Sequence, residues 1–416
     1  MLSQEETKKL HINIILCQCV GILPLIFLKN GFVLNYIQKF GIGDEVIILL
    51  LTFIPNIIVL AIKLPLAFLS DRKGIKKIGN ISIWMQLLGF GILPLIYFIP
   101  DNSSFLFTLS IIIYSLGNSI FFSNWFSLIS PLIDKKEVGG FFAILRISAR
   151  ITGLTLTFIS SGLIVLYKSE YVYISILSLI TFLLAIRFKY YSKIPELTKP
   201  NKDIGNIFIS WRILRKNRSY IRFCKYYFCI SFLTSSLPLF FNLFEKATLN
   251  LSESQIIMMG FVTQIGSIAG FWIGAQIVDY KSNQYLFRMS NATFFIIVTL
   301  FMFVKSIVNT PNIITVTILT FIMGLTISAF RIGAIAEPLK QIQEEQKSFG
   351  ITLSLIMEPA GGTLSGLILS QYLKYWKDLN LTIGKLALSH YEIYIGAIAI
   401  VFLFINIFFR FQEDKI

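Results

Sequence analysis

Twelve stretches of at least 21 mostly apolar residues recur along this chain of 416, and no other feature limits its fold so strongly. Each is long enough to cross about 30 Å of hydrocarbon as a helix. They run over 11–37, 44–70, 78–99, 104–130, 139–166, 171–191, 219–244, 253–278, 287–308, 312–336, 347–372 and 390–410. A membrane-barrel strand needs only about ten alternating residues, so length selects helix over strand. Apolar residues make up 55% of the chain and charged residues 14%, with a mean hydropathy of +0.73. A soluble chain has no polar exterior to cover that much apolar surface. The expected fold class is an all-α membrane protein of about twelve transmembrane helices. The first run follows Glu5, Glu6, Lys8 and Lys9 and shows no small-residue cleavage site, so it reads as a retained helix.

Lys and Arg positions set the expected orientation. With the N-terminus inside, 25 of the 37 basic residues fall in inner segments, 7 in outer loops and 5 within spans. Both termini are therefore expected in the cytoplasm. The net charge of +15 is a topology signal and an attraction to anionic lipid, with no call for a nucleic-acid partner. Eleven of those inner charges lie between Arg187 and Lys225, in a stretch holding Pro195 and Pro200. Trp211 and Ile213 among arginines suggest a short helix on the membrane surface there. This stretch reads as the linker, 192–218, between an N-terminal half, 1–191, and a C-terminal half, 219–416.

An internal repeat supports the division. Asp71 ends span 2 and Asp279 ends span 8, 208 residues on. Pro131 follows span 4 and Pro338 follows span 10, while Phe142 and Phe349 open spans 5 and 11; both offsets are 207. Asp44 and Glu253 open spans 2 and 8 at an offset of 209, with Asp44 a candidate cap and Ser252 with Gln255 a candidate capping box. Two six-span halves with both termini on one side are parallel repeats.

The segment Ala67-Phe-Leu-Ser-Asp71-Arg72-Lys73-Gly74-Ile75-Lys76-Lys77 resembles the signature loop of the major facilitator superfamily, Gly-x-x-x-Asp-Arg-x-Gly-Arg-Lys. Asp71, Arg72, Gly74 and Lys76 match; Ala67 and Ile75 depart from it. The second copy, Ala275 to Lys281, keeps Asp279 and Lys281. The resemblance implies two six-helix halves that rock about a substrate held between them near the midplane. It also implies that Asp71 closes an inner gate against the positive N-terminus of a helix in the other half. A solvated inside-positive loop is the plainer reading of the same charges.

Ionisable groups within the membrane cost roughly 2.5–3.5 kcal/mol each at the centre and mark functional candidates. Six stand deep in the spans: Lys29, Lys63, Arg146, Arg150, Arg331 and Glu358. Glu358 lies about 11 residues into span 11, some ~16 Å from its start. Its repeat partner is Arg150, which shares a helix face with Arg146. Three roles stay open for Glu358: ion-pair partner of an arginine, proton carrier, or substrate ligand. Lys63 and Arg146 can snorkel inward, and Lys29 outward. Asn118, Asn124, Gln264, Ser267, Thr234, Ser235 and Asn242 are polar neutrals able to line a cavity or to join helices.

The four cysteines read as small buried hydrophobes, and with only two histidines no metal site or other cofactor is expected. No Gly-x-x-x-x-Gly-Lys-Ser/Thr loop is present, so ATP is not the expected energy source. The drug–antiporter run Gly-Pro-x-x-Gly-Gly is missing from span 5. The sequence points to a secondary transporter, not an enzyme, acting as a monomer in the cell (inner) membrane. Its substrate is expected to be a small anionic or zwitterionic solute moved by rocker-switch alternating access; proton coupling, as in a symporter, stays open, and the sequence does not choose between import and export. The alternatives are a polytopic membrane enzyme or lipid-handling protein, a drug or metabolite exporter of the same fold, and a sensor on a transporter scaffold.

Overall fold

The computed structural model describes residues 4–133, 138–196, 214–307, 313–342, 347–383 and 386–408. Twelve helices among them are long and apolar enough to cross a membrane. The chain divides into two compact units, Met1–Gly205 and Asn206–Ile416. Large apolar side chains such as Leu88, Phe105, Phe182 and Trp272 are exposed, as a lipid-facing surface requires. The surface helix expected around Trp211 and Ile213 lies outside the described residues.

The first unit opens with α1 (Gln4–Lys29) and a short α2 (Phe32–Gln38). A single span over 11–37 was expected, but the helix stops at Lys29. Gly31 takes a left-handed conformation (φ 86°), and the Asn30 side chain accepts a bond from the Phe32 amide at 3.1 Å. Span 2 comprises α3 (Asp44–Ile48), a wide π-type turn (Leu49–Phe53) and α4 (Ile54–Lys73). Gly43, not Asp44, occupies the cap position, and Asp44 instead accepts from Gln38 Nε2 at 3.0 Å. Then come α5 (Ile75–Leu95), α6 (Ser103–Ile129), α7 (Val138–Tyr167) and α8 (Tyr171–Ser192). Close packing of α5 on α6 rests on Gly89 and Gly117. A Cβ on Gly117 would meet the Gln86 amide of α5 at 2.8 Å.

In the second unit, span 7 breaks after Thr234 into α9 (Arg218–Thr234) and α10 (Leu237–Ala247), with Pro238 in the first turn of α10. Ser252 and Gln255 form the expected capping box at the head of α11 (Glu253–Tyr280). Beyond it run α12 (Asn283–Ile307), α13 (Ile313–Gln341) and α14 (Lys347–Trp376). Pro338 sits inside α13, not beyond its end; it removes the one backbone donor of its own position, and the helix stops three residues later. Gly266, Gly270 and Gly274 recur every fourth residue along α11 and lie against the α13 backbone at Phe321, Leu325 and Ala329. That spacing lets two helices approach more closely than side chains normally allow.

A two-stranded hairpin, β1 (Asn380–Ile383) and β2 (Leu386–Ser389), precedes α15 (His390–Phe408) and was not foreseen. Glu392 accepts from both the amide and the hydroxyl of Ser389, at 2.7 and 2.9 Å, and so anchors the start of α15.

Candidate functional site

Glu358 and Arg331, on neighbouring helices α14 and α13, form an ion pair within the second unit. Arg331 Nη2 donates to Oε1, and the Tyr227 hydroxyl donates to Oε2 at 3.0 Å. Both carboxylate oxygens are thus engaged by donors. Tyr227 on α9 is 2% exposed, while the Arg331 and Glu358 side chains keep 39% and 35% of their surface. The carboxylate is backed by a buried phenol and stays open on its other side.

Local sequence places these groups. Gly361 brings the α14 backbone against α9, where a Cβ would lie 2.6 Å from the Phe232 amide nitrogen. One turn earlier this approach puts Glu358 beside Tyr227, and one turn later it joins the Ser236 and Ser365 hydroxyls at 2.6 Å. The three meetings step forward together along both chains, so α9 and α14 run in the same direction. Pro359 removes one helical donor next to Glu358. Aromatic rings hold Tyr227, with Phe223 stacked and Phe330 tilted against it, each 5.9 Å away.

The signature-like segment has a different structure at each end. Asp71 and Arg72 fall in the last turn of α4, and their side chains lie outside the described residues. Gly74 follows with φ 91°, a conformation that suits glycine. The next amide, Ile75 N–H, donates to the Glu196 carboxylate at 2.6 Å, and Lys76 Nζ donates to the Ser192 carbonyl at 2.8 Å. An acid thus meets the start of α5 and a cation meets the end of α8, both as helix dipoles favour. Lys76 is a tie within its own half. In the second copy, Asp279 is exposed near the end of α11, and Lys281 lies over the Tyr285 ring at 4.1 Å.

The remaining candidates disperse. Arg146 is exposed on α7, Arg150 and Lys63 are half-buried, and Lys29 is exposed as the last residue of α1. Asn124 donates to its own helix at Ile120 O (3.0 Å), and Gln264 does so at Gly260 O (3.5 Å). Ser267 reaches Thr263 O at 2.9 Å and Gly324 O of α13 at 3.4 Å, a helix-joining role. Asn118 borders a small cavity in the first unit, together with Lys29.

Sequence reading missed several buried charges. Arg187, counted with the basic linker, is only 1% exposed inside the first unit. Its Nη1 donates to Gln86 Oε1 at 2.6 Å, its guanidinium covers the Phe121 ring at 3.7 Å, and it packs on Gly21. Its place in the buried stripe Tyr173, Ile176, Ile180, Leu184, Arg187, Tyr191 was a legible signal. Glu358 is also not the sole deep acid. Glu245 is 1% exposed in α10, with Oε2 lacking a hydrogen-bond partner, and Glu392 is fully buried. The fivefold cationic excess expected inside the spans is accordingly smaller. Among the described residues no group of three His, Cys, Asp or Glu side chains is placed to hold a metal.

A family model described as Major Facilitator Superfamily matches residues 16–366. No curated protein matches the chain in sequence. A mutant of the nucleoside transporter NupG has a similar structure, with a TM-score of 0.74 and 14% identity, over 97% of this chain and 99% of its own. A bacterial homologue of the human lysosomal transporter Spinster, inward-facing and unoccupied, is similar at TM-score 0.67 and 12% identity, over 91% of this chain and 84% of its own. A POT family transporter in complex with 5-aminolevulinic acid is similar at 0.67 and 11%, over 97% and 94%. At such identities the likeness is one of fold.

Proposed function

The chain belongs to the Major Facilitator Superfamily, and from that premise we propose that it is a proton-coupled secondary transporter of a small anionic or zwitterionic solute. It is an integral membrane protein whose twelve apolar helices fit that role. In this reading residues 1–191 and 219–416 are the two moving halves, 192–218 joins them, and both termini face the cytoplasm of a monomer in the cell membrane. The basic asymmetry of the loops supports the orientation. Lys29 and Arg150 within the spans support the anionic or zwitterionic class. Asp71 retains the gating role that its motif implies.

One observation carries the coupling: the half-open ion pair of Glu358 with Arg331, completed by Tyr227. While Glu358 is ionised, it ties α13 to α14 by charge and to α9 by a hydrogen bond. A proton bound at the carboxylate cancels the charge attraction and turns one acceptor oxygen into a donor. Tyr227 can then donate only to the remaining acceptor. A single proton thus loosens a three-helix junction, which is how protonation can bias a two-state change. Arg331 is left without its counter-charge until the proton departs, so the protonated state is one to be passed through and not held.

Purified protein in proteoliposomes tests the reading. An imposed inward proton gradient should drive accumulation of an anionic or zwitterionic solute, and a protonophore should collapse it. Accumulation indifferent to the proton gradient would remove the coupling. Absence of uptake and exchange for every solute class would remove the transport reading itself.

A further inference from the structure

A cavity of about 40 Å³ lies within the first unit, between α1, the π-type turn with the start of α4, and α6. Leu51 and Pro55 form its apolar side, and Lys29, Tyr114, Ser115 and Asn118 its polar side. Tyr114 is 2% and Ser115 4% exposed, yet neither hydroxyl has a hydrogen-bond partner, and the same holds for Asn118 Oδ1. A buried polar atom left in this way costs about 1–3 kcal/mol. Ser123 on the same helix bonds back to Ser119 O at 2.9 Å, so helical serines here have that outlet and Ser115 does not use it.

The walls are built to keep these groups in place. Tyr114 is held by the α5–α6 contact at Gly89 and by the Phe90 ring at 5.8 Å. The facing π-type turn is a distortion that recurs at functional sites. Three polar groups that satisfy neither each other nor the backbone, on a rigid frame beside a lysine, form a recognition surface.

We propose that this cavity binds the carboxylate of the transported solute, a proposal that rests on the transporter reading and names the chemistry of its substrate. The volume has room for one small planar group such as a carboxylate. No acid lines it. Lys29 supplies the charge, the Tyr114 and Ser115 hydroxyls donate to the two carboxylate oxygens, and Asn118 Oδ1 accepts from an ammonium or hydroxyl on the adjacent carbon. A sugar hydroxyl would bring no charge to the lysine side of the cavity, and an amine would face Lys29 as a like charge.

Full-length purified protein is incubated with an equimolar mixture of lactate, succinate, alanine, glutamate, lactamide, alaninamide, glucose, adenosine and choline. Solutes that remain bound after rapid buffer exchange are then measured by mass spectrometry. Retention of carboxylates over their amides is expected. Tyr114→Phe and Ser115→Ala should each lower that retention about tenfold without lowering the thermal unfolding midpoint of the unliganded protein, since each removes a buried hydroxyl that has no partner there. Lys29→Gln should abolish the preference over the amides. Lactate and succinate against alanine and glutamate report whether the adjacent ammonium is required. Retention of glucose, adenosine or choline instead, retention unmoved by the three variants, or no retention at all would overturn the proposal. A carboxylate held through these residues but never moved in proteoliposomes would instead overturn the transport reading and leave the site standing.

Discussion

Gly361 of α14 and Phe232 of α9 lie so close that a methyl group on Gly361 would sit 2.6 Å from the Phe232 amide nitrogen. Gly361→Ala must therefore push the two helices apart. Backbone cannot swing aside as a side chain can, so the expected cost is about 1–3 kcal/mol. The Tyr227–Glu358 bond one turn away should be lost with it. Thermal unfolding of the variant measures the cost, and an unchanged midpoint would show that α9 and α14 are not in register at this contact.

The ion pair itself yields to a double-mutant cycle. Arg331→Gln should destabilise the protein by about 1.5–3 kcal/mol, the range for a hydrogen bond to a charged group. That value is already well below the cost of breaking a fully buried pair, because solvent reaches both side chains. Adding Glu358→Gln should recover part of the loss. Additive single effects, measured by chemical unfolding in detergent, would show the two residues to be uncoupled.

Glu196 caps a helix from a great distance in sequence, accepting from the Ile75 amide 121 positions earlier. Glu196→Ala should cost about 0.5–2 kcal/mol, as loss of other N-caps does. Gly74→Ala should add strain at φ 91°, its new methyl group in ordinary contact with the Glu196 carboxylate at 3.6 Å. Limited proteolysis within 74–77 provides the readout: both variants should be cut faster than the wild type, and equal rates would remove the tie.

Arg187 invites the opposite expectation. Its Nε and Nη2 have no hydrogen-bond partner, and its Nη1 donates to Gln86. Gln86→Leu should therefore destabilise by about 1–3 kcal/mol. The double variant Gln86→Leu with Arg187→Met should regain that loss, because an apolar side chain of similar length often replaces a buried ion without penalty. A double variant less stable than Gln86→Leu alone would assign Arg187 a favourable role beyond Gln86.

Much of the fold was legible because membrane spans are read from length and apolarity alone, and both halves of the repeat carry matching punctuation such as Pro131 and Pro338. Breaks within spans were harder. Gly31 and Pro238 interrupt runs that stay apolar throughout, so hydropathy passes over them. The Ser389-His-Tyr-Glu392 cap and the α11 glycines had recognisable spacing but needed a partner helix to acquire meaning. At the candidate site the charged pair could be proposed from depth, whereas Tyr227 could not. A tyrosine among aromatic neighbours reads as core until the approach at Gly361 sets it against a carboxylate. Arg187 was misjudged because it stands five residues from the end of α8, where a basic residue ordinarily turns toward water.

Glu358→Gln in proteoliposomes tests the central claim most directly. Glutamine keeps the shape of the side chain and can still accept from Tyr227, but it neither ionises nor carries a proton. With the solute retained by the purified protein as substrate, the account predicts that the variant no longer accumulates it against a gradient in response to an imposed proton gradient. Exchange of internal for external solute should persist at a comparable rate. Normal proton-driven accumulation by Glu358→Gln would contradict the account and reduce the Arg331–Glu358 pair to a structural tie.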